Sequence, residues 1–145
     1  MIADDHVVRN RASRERLAAV IARLGERTVV LPDGWTAATA LAHLAFWDRY
    51  AAARLERHLR EGGPIESMSD ASEHFLNAAA LPQWTSTPLG VAVADVLDAT
   101  ATVDRLIKTL PADVAARIRA LDRPRLLDRS LHRDEHLADI ERALG

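Results

Sequence analysis

The longest helix that the sequence predicts begins with Thr36-Ala-Ala-Thr-Ala-Leu-Ala-His43-Leu-Ala-Phe-Trp-Asp48. Thr36 is a plausible N-cap, because a threonine hydroxyl accepts a hydrogen bond from a backbone N–H of the first helical turn. The pattern continues to about Glu61, where Gly62-Gly63-Pro64 ends it. The apolar stripe of this helix contains Leu41, Leu44, Leu55 and Leu59. Such a stripe has to be buried against other elements.

Helical spacing also describes the rest of the chain. The other predicted main helices are a first one around residues 17–24, which ends at Gly25 or at the turn 32–34, a third over 89–110, and a last one over about 130–144, capped by Asp128 or Ser130. A short helical piece is predicted over 112–121, and residues 65–87 form a long connection with one minor helix over 71–80. No strand pattern competes.

These elements predict an all-α fold. We expect a four-helix bundle with a long crossover between the second and third main helices and short extra helices. The length of 145 residues indicates a single domain over residues 1–145, large enough to stand without disulfides.

Composition excludes several kinds of chemistry. The chain has no cysteine, so any metal must be held by His, Asp or Glu, and there is no cysteine nucleophile. The formal net charge is −2 and the pI is near 6.3, with acidic residues interleaved among the basic ones, which argues against a nucleic-acid partner. No apolar run approaches membrane-spanning length. We therefore expect a cytoplasmic protein that binds neither nucleic acid nor membranes.

Three histidines have the spacing of a metal site. His132 and His136 stand four residues apart in the last helix, and His43 lies near the start of the second. Residues four apart project from one face of a helix, so two imidazoles there can hold one ion, and a third from a facing helix completes a triad. Three protein ligands leave coordination positions open, which suits catalysis better than a closed structural site.

The neighbours of these histidines have less specific roles. Three aromatic residues share the face of His43 and would make a partly dry pocket, namely Phe46, Trp47 and Tyr50. Three other histidines lack a paired neighbour and are interpreted as solvent-facing or structural, namely His6, His58 and His74. Asp48 falls on the leucine side of its helix and needs a partner such as an arginine. Trp35 and Trp84 are expected to pack the turn and the long connection.

The last helix also contains His132-x-x-Glu135-His136, the inverted zinc-peptidase motif, in which the glutamate acts as general base. The context argues against that enzyme class, because it needs a downstream ligand, whereas few residues follow and Glu141 points to the opposite side. Glu135 lies close enough to His132 on the helix for an acid–base role in a different fold.

Two segments together resemble the DinB-like (YfiT-like) superfamily. They are 31–48, Leu-Pro-Asp-Gly-Trp-Thr-Ala-Ala-Thr-Ala-Leu-Ala-His-Leu-Ala-Phe-Trp-Asp, and 132–141, His-Arg-Asp-Glu-His-Leu-Ala-Asp-Ile-Glu. The family pattern is a four-helix bundle of about this length, with one histidine early in the second helix and a His-x-x-x-His pair in the last. The resemblance covers nearly the whole chain.

The resemblance implies a divalent metal, most commonly zinc or nickel, held by His43, His132 and His136, and often a homodimer. The superfamily includes thiol S-transferases and mycothiol-dependent maleylpyruvate isomerase, in which the metal lowers the pKa of a bound low-molecular-weight thiol such as mycothiol. This chain departs from the isomerase pattern by lacking its second domain, so the resemblance does not imply that particular reaction.

The sequence thus favours a metal-dependent enzyme, thiol S-transferase-like or a hydrolase, acting on a small electrophilic substrate. Glu135 and Asp139 are candidates for orienting the imidazoles or moving protons. The alternative is a non-catalytic, stress-related binding or scaffold bundle with a vestigial metal site.

Overall fold

The computed structural model describes residues 5–145 of the chain. It contains the helices α1 (Asp5–Leu24), α2 (Ala37–Glu61), α3 (Asp70–Ser86), α4 (Leu89–Lys108), α5 (Ala112–Ala120), α6 (Pro124–Leu127) and α7 (Ser130–Leu144). Over these residues no β-strand forms, and extended pairing is limited to an isolated bridge between Val30 and Thr36. The all-α prediction is confirmed. Within the described residues, no helix combines the length and apolar character needed to cross a membrane.

Local signals set the limits of α2 as predicted. The Thr36 hydroxyl accepts a hydrogen bond from the backbone N–H of Thr39 at 3.1 Å. At the other end, Gly62 has a φ of +72°, a conformation that costs glycine little, and its N–H donates to the carbonyl of His58. The start of α2, and with it the position of His43 in the first part of the helix, is therefore fixed by the local sequence.

The helix predicted over 71–80 is longer than expected. It runs from Asp70 to Ser86 and continues through Pro82, two residues beyond the predicted end. Proline removes one backbone hydrogen bond, yet here it lies near the last turn, and beyond it Trp84 is buried at 5% exposure. We attribute the continuation of α3 to the burial of this indole, which offsets the lost hydrogen bond.

The helices pack pairwise around two apolar clusters. α2 packs most extensively on α4, α1 contacts α4 and α7, α7 also contacts α2, and α3 packs on α2. The first cluster includes Leu17, Leu24, Leu41, Leu44 and Leu137, and the second includes Leu55, Val103, Ile107 and Ile118. Leu59, expected in the apolar stripe, is 41% exposed because it lies in the last turn of α2, one turn beyond Leu55.

A buried network of charges joins four helices between these clusters. The guanidinium of Arg133 in α7 is 1% exposed and binds both carboxylate oxygens of Asp104 in α4, at 2.7 and 2.9 Å. Its Nε donates to Asp48 of α2 at 3.0 Å, and Nη1 donates to the Asn10 carbonyl and the Ser13 hydroxyl of α1. The interpretation of Asp48 as a paired structural residue is thereby confirmed.

The start of α7 is held by a residue distant in sequence. The side-chain oxygen of Asn10 accepts hydrogen bonds from the backbone N–H groups of Arg129 and Ser130, at 2.8 and 3.1 Å. The residue at the N-cap position is Arg129, so neither predicted cap, Asp128 nor Ser130, occupies it, although Asp128 also accepts from the Ser130 N–H at 3.1 Å. These bonds satisfy N–H groups that a helix start otherwise leaves unpaired. They fix the helix start two residues before His132.

Substituting methionine for Arg133 should strongly destabilise the protein. The change removes the cation that Asp48 and Asp104 share and leaves each with a single, less buried arginine, Arg129 and Arg14 respectively. Breaking a buried pair in this way typically costs about 3–5 kcal/mol. Urea denaturation followed by circular dichroism measures the loss. The matched control is Arg117→Met, because Arg117 forms an exposed ion pair with Asp113 and its loss should cost less than about 1 kcal/mol. Equal effects of the two substitutions would contradict the role assigned to Arg133.

Candidate metal centre

The three histidines expected to bind metal come together in the structure. One ring nitrogen from each of His43, His132 and His136 lies within 4.8 Å of the others, close enough to hold one ion. His43 is contributed by α2, and the other two project from one face of α7. The predicted convergence of these residues is confirmed.

The separation of the ring nitrogens suits a small divalent cation. The Nε2 atoms of His43 and His132 are 3.1 Å apart. Two nitrogens bound to one zinc ion at the usual bond lengths, in tetrahedral geometry, are about 3.3 Å apart. Nitrogens at such a distance either share a proton in a hydrogen bond or bind the same ion. The His43–His132 pair therefore has the spacing of ligands to zinc or another first-row divalent metal, and His136 offers its nitrogen within 4.8 Å of both.

Burial keeps these imidazoles neutral. It lowers the pKa of His43 to about 3, with a further contribution from His136, and it lowers the pKa of His132 to about 2, where His136 and His43 add to the effect. Burial also lowers the pKa of His136, against the opposing charges of Glu135 and Asp139. Neutral imidazole is the form that binds a metal, so the folded chain presents its three ligands ready for binding at neutral pH.

Two tryptophans form the wall of the site. The rings of Trp35 and Trp84 lie edge-on to the His43 ring at centroid distances of 5.2 and 4.9 Å, and Trp35 also stacks on His136 at 6.4 Å. The Nδ1 atom of His43 is buried and has no hydrogen-bond partner among residues 5–145. On this side, aromatic rings rather than polar groups surround the imidazole of His43.

The two tryptophans of this wall were not among the aromatic residues predicted to line the pocket. Among the three aromatic residues of α2, Phe46 packs on Trp84 at 5.5 Å, while the indole N–H of Trp47 donates to the Asn77 side chain at 2.8 Å. Tyr50 packs against Trp47. Trp35 and Trp84 reach the histidines because the turn before α2 and the last turns of α3 fold over them. The Pro32-Asp33-Gly34 turn indicated that Trp35 lies close to the start of α2, whereas no local pattern indicated that Trp84 reaches the histidines.

The two predicted catalytic carboxylates lie beside the histidines but face outward. Glu135 is paired with Arg125 at 2.6 Å, and its side chain is 59% exposed. Asp139 is paired with Arg142 and is 37% exposed. Both raise the pKa of His136 through their negative charge, although burial remains the larger effect. Their catalytic role stays a prediction.

The remaining histidines lie apart from the triad. His6 is buried in α1, the Nδ1 atom of His58 lies 2.8 Å from the carbonyl oxygen of Gly63, and His74 is exposed on α3. Glu141 binds Arg16 of α1, which places it away from the site as expected. In the part of the chain that the structure describes, the candidate metal cluster consists of His43, His132 and His136.

A cavity of about 490 Å³ reaches the site at His132. Its wall includes Trp47 and Tyr50 of α2, Met68 from the segment before α3, and several arginines, among them Arg129. The volume suits a small molecule. Trp47 and Tyr50 are two of the aromatic residues predicted to form a partly dry pocket, whereas the rest of the lining has no sequence motif, because it comes from segments that meet only in the folded chain.

No family model, curated protein or solved structure matches this chain. The geometry and chemistry of the site therefore carry the functional argument.

The metal-free protein should lose stability as the pH falls below about 6.5. Unfolded imidazoles take up protons near that pH, whereas the pKa of His43 in the folded state is about 3, so protons favour unfolding across this window. At pH 5 the loss from His43 alone, relative to pH 7.5, is about 2 kcal/mol. Urea denaturation in the presence of a chelator measures it.

The stability of the His43→Asn variant should depend less on pH than that of the parent protein, because the substitution removes the titrating imidazole of His43. His74→Gln is the control, since His74 is exposed and its substitution should leave the pH dependence unchanged. A stability that stays constant from pH 7.5 to 5 would show that the buried imidazoles are not held neutral.

Proposed function

We propose that this protein is a divalent-metal-dependent enzyme, with His43, His132 and His136 as the metal ligands, acting on a small electrophilic substrate. The observation that carries the proposal is the convergence of three neutral imidazoles within 4.8 Å beside a cavity large enough for a small molecule. Three ligands with open access to a cavity are typical of catalytic rather than structural metal sites.

The proposal includes membership of the DinB-like superfamily. Its supports are the two sequence segments around His43 and His132 and the packing of α1, α2, α4 and α7, which fits a four-helix bundle with the crossover from α2 to α4 passing through α3. A homodimer and a cytoplasmic location belong to the same proposal. Zinc and nickel are the proposed metals, because imidazole ligands suit both.

A divalent ion at this site would supply a Lewis acid that lowers the pKa of a thiol or water occupying one of its open positions. The protein positions the reacting groups and keeps water away from them. Trp35 and Trp84 exclude water from the histidine side, and the cavity at His132 admits substrate. Glu135 and Asp139 would orient α7 imidazoles or accept the proton released by the nucleophile.

Thiol transfer is the favoured reaction, and hydrolysis is the same chemistry with water as nucleophile. In thiol transfer a C–S bond forms at the electrophilic carbon, the bond from that carbon to the leaving group breaks, and the thiol proton passes to a base or to solvent. A low-molecular-weight thiol such as mycothiol is the proposed co-substrate.

Protein purified without added metal or chelator should contain about one equivalent of a divalent metal, measured by elemental analysis. The His136→Ala variant should contain none and should keep its helical circular dichroism spectrum, because the triad lies on helices that are packed independently of it. His74→Ala, a change at an exposed histidine, should keep the metal. Unfolding on chelation, or metal retained by His136→Ala, would contradict the proposed site.

Activity should depend on the same residues. With N-acetylcysteine as thiol and 1-chloro-2,4-dinitrobenzene as electrophile, the release of chloride and the formation of the thioether should fall about 100-fold or more in His132→Ala, as expected when an electrostatic catalyst is lost. His74→Ala should match the parent protein. A metal-loaded protein inactive with a panel of thiols and electrophiles would favour the non-catalytic binding protein instead.

A further inference from the structure

The cavity beside the metal centre is lined by an excess of positive charge. Arg54 from α2 and Arg123 from the loop before α6 reach it from opposite parts of the chain, together with Arg125 and Arg129. Glu73, the acidic residue in its lining, is exposed at the start of α3 and makes no ion pair with these arginines within residues 5–145. The cavity therefore combines cationic groups with the ligand His132.

These arginines differ in how their charge is balanced. Arg129 is paired with Asp48 at 2.8 Å, and Arg125 is paired with Glu135. Arg54 and Arg123, in contrast, form no ion pair with any described carboxylate. Arg54 donates to the backbone carbonyl of Glu66, and Arg123 donates to that of Ile65.

Each of these two guanidinium groups keeps unused capacity. A guanidinium has five N–H donors, and the contact with one carbonyl uses only part of them. Two neighbouring backbone carbonyls hold the two side chains at the same segment, residues 65–66, so that both reach one cavity. The arrangement is a preformed pair of forked donors without an acceptor anion.

The charges also repel each other. Burial lowers the pKa of Arg54, and the nearby positive charges of Arg123 and Arg129 lower it further, against the stabilising effect of Tyr50. Repulsion among cations in a partly buried space is relieved when an anion binds between them. The geometry that brings these cations together thus favours an anionic ligand.

We infer that Arg54 and Arg123 bind the carboxylate of a small organic acid whose reactive end extends along the cavity to His132. Planar carboxylates match the forked donors of arginine, and the cavity volume of about 490 Å³ accommodates a ligand of this size. That this acid is the substrate rests on the proposed function, whereas the anion site itself is testable on the metal-free protein.

The chain supplies separate reporters for the two sites. Trp47 lines the cavity, and its indole N–H is fixed by the bond to Asn77, while Trp35 and Trp84 contact the metal-site histidines. In a ¹H–¹⁵N correlation spectrum the three indole signals, assigned by single Trp→Phe substitutions, report on the cavity through Trp47 and on the metal-site histidines through Trp35 and Trp84.

The experiment titrates metal-free protein at low ionic strength with succinate, with its uncharged diamide and with inorganic phosphate, and then repeats each titration after addition of zinc. Succinate should shift the Trp47 signal in a saturable way, and the diamide should not. The double variant R54Q/R123Q should bind succinate about 10-fold more weakly or worse, since each charged hydrogen bond is worth more than a neutral one. The control R57Q should bind as the parent does, because Arg57 pairs with Glu61 on the exposed side of α2.

Equal shifts with succinate and its diamide, or unchanged succinate binding by R54Q/R123Q with the rest of its spectrum native, would overturn the inference. Phosphate binding about 10-fold tighter than succinate would overturn the assignment to a carboxylate. Zinc should move the Trp35 and Trp84 signals. If zinc moves neither while succinate still moves Trp47, the proposed metal enzyme fails and the carboxylate site stands.

Discussion

The buried guanidinium of Arg133 is the interaction on which the arrangement of the helices depends. It binds Asp104 of α4 through two hydrogen bonds and Asp48 of α2 through a third, and it reaches the backbone of α1 at Asn10. A charge this deeply buried is tolerated only when its partners are all in place, so sliding or rotation of α7 by one residue would leave several charges unpaired. The position of α7 is therefore set by electrostatics as much as by apolar packing.

The geometry of the candidate metal site depends on that network. His132 is the neighbour of Arg133 in the chain, and His43 lies five residues before Asp48 on α2. The same two helices thus carry both the ion pair and the three imidazoles, and fixing one fixes the other. Preorganisation of this kind favours metal binding, because the imidazoles are already neutral, close together and oriented in the metal-free protein. We interpret the ion pair as the support that holds the imidazoles at bonding distance.

Features encoded by neighbouring residues could be predicted from the sequence. The ends of α2 follow from Thr36 and Gly62, and the pairing of His132 with His136 follows from their spacing, because each of these depends on one or two turns of helix. Contacts between distant segments left no such signal. Asn10 caps α7 across 119 residues, and Trp84 reaches His43 only because α3 continues past Pro82. The clustering of arginines around the cavity could not be predicted for the same reason, since it depends on how three separate segments fold together.

The elements that hold the buried charges are largely distinct from those that complete the cavity. α3 packs chiefly on α2 and takes no part in the contacts of Arg133, yet with the segment before it α3 supplies Met68, Glu73 and Trp84 to the cavity and the metal site. Substitutions there can reshape the ligand space without unbalancing the buried charges. A scaffold divided in this way can change its choice of ligand over evolution while the buried charges that position the three histidines stay paired.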